Sequence, residues 1–109
     1  MFSEMTQKKI EDVVNDELRI ACHFYGNSYH SNHEAYAVLL EEVEEAEQNL
    51  DYIKNRVATF WDDVKADNNA GIKSNIRILV LDAIELAAEA CQVAAVAKKI
   101  VGEVPHEEK

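Results

Sequence analysis

Residues 41–101 read EEVEEAEQNLDYIKNRVATFWDDVKADNNAGIKSNIRILVLDAIELAAEACQVAAVAKKIV, and the short interruption DNNAG at 67–71 decides the fold. Upstream of it, Tyr36, Leu39, Val43, Ala46, Leu50, Ile53, Val57, Phe60 or Trp61 and Val64 recur in alternating steps of three and four, which lays one apolar seam along a helix. Downstream, residues 72–101 are apolar on nearly every side and rich in alanine, which suits a helix packed by neighbours on several faces. Five turn-forming residues are too few for anything but a tight connection between adjacent antiparallel helices. The second helix is therefore expected to reach about residue 66 and the third to run from about 72 to 101.

Working outward, Ser31-Asn32-His33-Glu34 reads as a capping box that starts the second helix, with the serine hydroxyl and the glutamate carboxylate each accepting a backbone N–H. Before it, GNSYHSNH is rich in turn formers. A first helix over about 5–25, capped by Ser3 or Thr6 and ended by Gly26, carries Ile10, Val13, Val14, Leu18, Ala21 and Phe24 or Tyr25 at helical spacing. The expected fold is all-α: a three-helix chain with a long antiparallel hairpin, forming a single domain over 1–104, with 105–109 as a disordered tail. Three helices rarely enclose one as apolar as the third. A homodimer or homotetramer that completes a four-helix-type bundle is thus expected.

Formal charge is −10, from 21 acidic against 11 basic side chains, which excludes direct binding to nucleic acid through a basic face. Cys22 and Cys91 lie within helical patterns without CxxC or Cys/His ligand spacing, so reduced structural thiols are expected. The N-terminal MFSEMTQKKIED lacks the order of a signal peptide, and charged residues break the apolar run of the third helix, so no membrane span and a cytoplasmic location are expected.

The acids of the second helix crowd into Glu41-Glu42-Val43-Glu44-Glu45-Ala46-Glu47, and at about 100° per residue they cannot share one face. Glu42 and Glu45, three apart, project together beside the seam. On the third helix Asp82, Glu85, Glu89 and Gln92 follow spacings of 3, 4 and 3, one polar stripe on an apolar helix. In an antiparallel pair, residues equidistant from the turn stand at one height, each helix rising about 1.5 Å per residue. A turn centred at 68 or 69 sets Glu45 level with 91–93, which makes Glu89 and Gln92 the nearest polar partners. The resulting candidate site is Glu42, Glu45, Glu89 and Gln92, with Glu85 a turn away in the second shell of ligands or beside a second metal. Oxygen donors without a nearby histidine suit Mg²⁺ or Mn²⁺. The competing explanation is a solvated polar edge.

These residues resemble a family. LLEEVEEAE at 39–47 resembles the EExxE helix of the all-α nucleoside triphosphate pyrophosphohydrolases, the MazG-like group, and EACQVAAVA at 89–97 resembles the helix that follows, whose signature is ExxD. With the lead-in HEAYAVLLEE, the resemblance spans residues 33–47 and 89–97. It implies Mg²⁺-dependent hydrolysis of a nucleoside triphosphate to the monophosphate and pyrophosphate, the nucleotide-pool house-cleaning reaction. By motif, Glu41, Glu42 and Glu45 match the three glutamates of EExxE and Glu89 the first acid of ExxD. Glu42 and Glu45 are then metal ligands, and Glu41 or Glu85 takes a proton from water. Gln92 departs from the family's aspartate, which replaces an anionic ligand with a neutral one. The alternative is a non-catalytic helical interaction protein that keeps the family fold.

His30 and His33 straddle the start of the second helix and read as turn and capping residues. Asn32, His33 and Tyr36 are candidates for nucleotide binding if that end borders the pocket. Phe60 and Trp61 continue the seam and read as packing residues. Arg77, Lys98 and Lys99 are candidate phosphate contacts, although two lysines at a helix C-terminus also answer its dipole.

Overall fold

A computed structural model describes residues 2–104 of the chain. It contains three helices, α1 (Glu4–Tyr25), α2 (Asn32–Lys65) and α3 (Asn69–Ile100), and no strand among the described residues. The tail expected at 105–109 lies outside the described residues. No helix among them is long and apolar enough to cross a membrane.

Local chemistry sets each boundary. Ser3 caps α1, its Oγ accepting the Thr6 amide at 3.2 Å, and Gly26 closes the helix at φ 86°. The capping box of α2 forms: Ser31 Oγ accepts the Glu34 amide at 3.1 Å while Glu34 Oε1 accepts the His30 amide at 3.2 Å. α2 ends at Lys65, where the Asp67 amide donates to the Val64 carbonyl and the Asn68 amide to the Asp63 carbonyl. That is a Schellman closure with Asp67 in the left-handed region at φ 52°. The same closure ends α3, where Gly102 and Glu103 donate to the carbonyls of Lys99 and Lys98, with Gly102 at φ 79°.

The turn is shorter than the sequence suggests, because α3 begins at Asn69, with Ala70 and Gly71 inside its first turn. The reason is a side-chain cap: Asn68 Oδ1 accepts the Gly71 amide at 3.0 Å and stands in for a fourth turn residue. That cap folds over Gly71. A Cβ there would collide with the Asn68 side-chain amide and lie 3.0 Å from Asp63 Oδ1.

The chain divides into two compact units, Met1–Val43 with Ala90–Lys109, and Glu44–Glu89. In the first, Val14, Leu18 and Cys22, spaced four apart along α1, bury against Ala95 of α3, with Cys91, Ala94 and Val104 packed around them. Leu18 is 1% exposed. Burying such a side chain contributes roughly 1.5–3 kcal/mol, and the alanines of α3 let α1 approach closely. Lys98 Nζ donates to Asn15 Oδ1 at 2.9 Å in the same unit. Both cysteines are free thiols, Cys22 buried and Cys91 half-buried.

The second unit is tied by polar contacts. The amide of buried Asn75 donates to the Arg56 carbonyl at 2.7 Å, and the Arg56 guanidinium meets Asp82 at 3.5 Å. The seam of α2 separates into two rows. Leu39, Ala46 and Ile53 are half-buried, whereas Val43, Leu50, Val57 and Val64 stay exposed, as does Trp61 at 60%. On α3, Val80, Leu81 and Ile84 are also exposed. Phe60 and Trp61, read from the sequence as packing residues, thus lie on the surface of the chain, Trp61 with the Lys65 ammonium 5.6 Å from its ring.

Candidate functional site

The polar stripe of α3 resolves into separate roles. Asp82 is engaged by Arg56, Glu85 is exposed, and Glu89 and Gln92 are half-buried. Glu89 has one carboxylate oxygen shut off from solvent. Within the Glu44–Glu89 unit, a Glu89 oxygen lies within 4.8 Å of one from Glu45. The turn explains the match: Glu45 precedes Asp67 by 22 residues and Glu89 follows it by 22. The sequence placed the turn centre at 68 or 69, one to two residues late, because the Asn68 cap was not foreseen.

Glu42 stands one turn before Glu45 along α2. Glu45 is exposed and Glu42 half-buried. Glu41, the next residue round the helix, points into solvent. Opposite oxygens around an octahedral Mg²⁺ stand about 4.2 Å apart, twice a metal–oxygen distance of about 2.1 Å. The limit of 4.8 Å within which the Glu45 and Glu89 oxygens lie is of this order. Within the Glu44–Glu89 unit, two carboxylates and no softer donor are the donor type that suits a hard divalent cation.

Gln92 belongs to the first unit, where its Nε2 donates to Glu17 Oε2 at 2.9 Å. A carboxylate only accepts, so this bond fixes the amide orientation and leaves the Gln92 carbonyl oxygen as the atom available to a cation. Glu17 was not foreseen as a site residue. Its position between Val14 and Leu18 marks it as flanking the buried face of α1, but nothing in the sequence pairs it with a residue of α3.

Glu42 and Gln92 also line a cavity of about 350 Å³ in the first unit, together with Tyr25, Tyr29, Val38 and Val96. That volume lies at the lower end of the range for small-molecule sites. Burial raises the Tyr29 phenol above its ordinary pKa, and its electrostatic interactions with Cys22, Glu34 and Glu42 push it the same way. Of the residues proposed for nucleotide binding, Asn32 lines a neighbouring cavity, while His33 and Tyr36 are exposed and border neither. The aromatic residues that line the cavity of about 350 Å³ are instead Tyr25, the last residue of α1, and Tyr29, in the turn before α2, a segment for which helical periodicity carries no signal.

No protein-family model, curated protein or solved structure matches this chain.

Proposed function

We propose that the protein is a divalent-cation-dependent nucleoside triphosphate pyrophosphohydrolase, cleaving between the α and β phosphates to give a nucleoside monophosphate and pyrophosphate. The observation that carries the reading is the approach of Glu45 to Glu89, with Glu42 one turn from Glu45. The resemblance of 39–47 and 89–97 to the two motif helices of the MazG-like group supports it.

In this reading Glu42, Glu45 and Glu89 hold Mg²⁺ or Mn²⁺, with the Gln92 carbonyl oxygen as a neutral fourth donor. Such a cation supplies neutralisation of triphosphate charge and the acidity that makes water a nucleophile at neutral pH. Glu85, one turn before Glu89 on α3, takes the proton, with Glu41 the other carboxylate in reach of solvent. Tyr25, Tyr29 and Val96 offer the nucleoside an aromatic and aliphatic wall. A long antiparallel hairpin of α2 and α3 and a homodimer or homotetramer in the cytoplasm complete the proposal. The exposed row Val43, Leu50, Val57 and Val64, with Leu81 and Ile84, is the apolar surface that assembly would cover.

The test is pyrophosphate release from a panel of nucleoside triphosphates, with and without Mg²⁺ or Mn²⁺, beside Glu45→Gln. Cation-dependent release lost in the variant supports the enzyme. Folded protein that releases pyrophosphate from none of them replaces this reading with a non-catalytic helical interaction protein.

A further inference from the structure

Near the end of α3, Lys99 is buried at 7% exposure, with its ammonium 4.3 Å from the centroid of the Tyr29 ring. Among the described residues this ring is its only partner: no carboxylate ion-pairs with it and no acceptor hydrogen-bonds to it. The ring face recovers part of the ammonium's lost hydration, but it supplies none of the acceptors that three N–H donors require. A buried cation left this way lowers stability unless an anion meets it.

Two cavities adjoin at this pair, and their linings differ in charge. The one of about 350 Å³ contains Glu34 and Glu42, which repel an anion. The other, of about 360 Å³, is lined by Lys99, Ser28, Tyr29, His30, Ser31 and Asn32 among others and contains no carboxylate. It opens at the start of the 34-residue helix α2, where the helix dipole places roughly half a positive charge. Capping takes the Glu34 amide and the first helical bond takes the Ala35 amide, which leaves the amides of Asn32 and His33 as first-turn donors. A long helix N-terminus, a nine-tenths-buried lysine and two serines thus line one cavity, while the Glu34 carboxylate is held by the His30 amide and lines the other.

We infer that this cavity binds a phosphoryl anion, with Lys99 Nζ as its charged donor and Ser28, Ser31 and the Asn32 amide as neutral ones. The anion is inorganic pyrophosphate or the phosphate of a nucleotide, which present the same oxygens. The site uses none of Glu42, Glu45 or Glu89 and needs no divalent cation, so it stands whether or not the chain hydrolyses nucleotides.

The experiment is calorimetric titration of the full chain with inorganic pyrophosphate and, separately, with a nucleoside monophosphate, both in excess chelator. Binding that weakens as salt rises, falls about tenfold or more in Lys99→Gln and is unchanged in Glu45→Gln supports the site. Binding of pyrophosphate identifies the free anion as a ligand; binding of the monophosphate alone identifies the ester. A second readout needs no variant: in the wild-type chain the Lys99 side-chain and Tyr29 ring resonances shift on titration. Absence of binding by both anions, equal binding by folded Lys99→Gln, or titration that leaves those resonances unmoved overturns the inference.

Discussion

Glu45 and Glu89 bring carboxylate oxygens within 4.8 Å of each other from positions 22 residues on either side of Asp67. Two like charges held this close repel, and a divalent cation converts the repulsion into coordination. Mg²⁺ or Mn²⁺ should therefore raise the midpoint of thermal unfolding, by up to about 2.7 kcal/mol of stabilisation at a hundredfold excess over Kd. Removing it with chelator should reverse the shift. Glu45→Gln and Glu89→Gln should each abolish most of the response, because a neutral amide is a poorer ligand. A melting midpoint indifferent to cation in the wild-type chain would sink the metal-centre reading.

This pair also shows what the sequence makes legible. The capping box at Ser31 and Glu34, Ser3 before α1 and Gly26 after it are local signals, and each boundary they mark lies within a residue or two of its place. The start of α3 was set too late, since the Asn68 cap admits Asn69–Gly71 to the helix. Side-chain partners on different helices were not legible at all. Nothing in the periodicity of α1 or α3 announces that Glu17 receives the Gln92 amide, or that Lys99 is buried on the Tyr29 ring while its neighbour Lys98 reaches Asn15. Such pairs depend on rotation and register between helices, which a hydrophobic pattern fixes only to about one turn.

Two Schellman closures invite a comparison within one chain. Gly102 adopts φ 79° at no steric cost, whereas Asp67 adopts φ 52° with a Cβ in place. Asp67→Gly is expected to stabilise the chain by about 0.5–1 kcal/mol, measured as a rise in urea midpoint at constant m-value. An unchanged or lower midpoint would mean that the Asp67 side chain contributes more than its backbone costs.

At the start of α3 the effects of two substitutions should fail to add. Asn68→Ala removes the cap on the Gly71 amide and should cost about 1 kcal/mol. Gly71→Ala gains helix propensity of about 1 kcal/mol but drives its Cβ into the same Asn68 side chain, so the single change should be near neutral. In the Gly71→Ala background, Asn68→Ala should then cost little, because the clash has already displaced the cap. A double-mutant cycle by denaturant unfolding measures this coupling, and strict additivity would contradict the geometry.

Asn75 is 6% exposed and its amide reaches the Arg56 carbonyl at 2.7 Å, a bond between α3 and α2 inside one unit. Asn75→Ala should destabilise by about 1–3 kcal/mol, since it deletes a hydrogen bond and leaves a small void. Asp82→Asn should cost much less, within about 1 kcal/mol, because its 3.5 Å pair with Arg56 is long and the guanidinium is partly exposed. Equal losses from the two substitutions, read by urea denaturation, would show that the ion pair holds this unit as firmly as the buried amide.

Tyr29 gives a pH dependence with a defined sign. Burial holds its phenol above the ordinary value of 10.0, and its electrostatic interactions with Cys22, Glu34 and Glu42 add to the shift. Below pH 10 the folded and unfolded chains both keep this proton, so Tyr29 adds no pH dependence to stability there. As pH rises from 10 through the folded value, the unfolded chain releases its proton first, and the stability present at lower pH is lost. Tyrosinate absorbance compared between the wild-type chain and Tyr29→Phe isolates this ring from Tyr25, Tyr36 and Tyr52. The difference should titrate above 10.0, and Glu42→Gln should move it downward by removing one of the negative charges beside the ring. A Tyr29 component that titrates at or below 10.0 would show that the ring is open to water, and would remove the enclosed floor on which Lys99 rests.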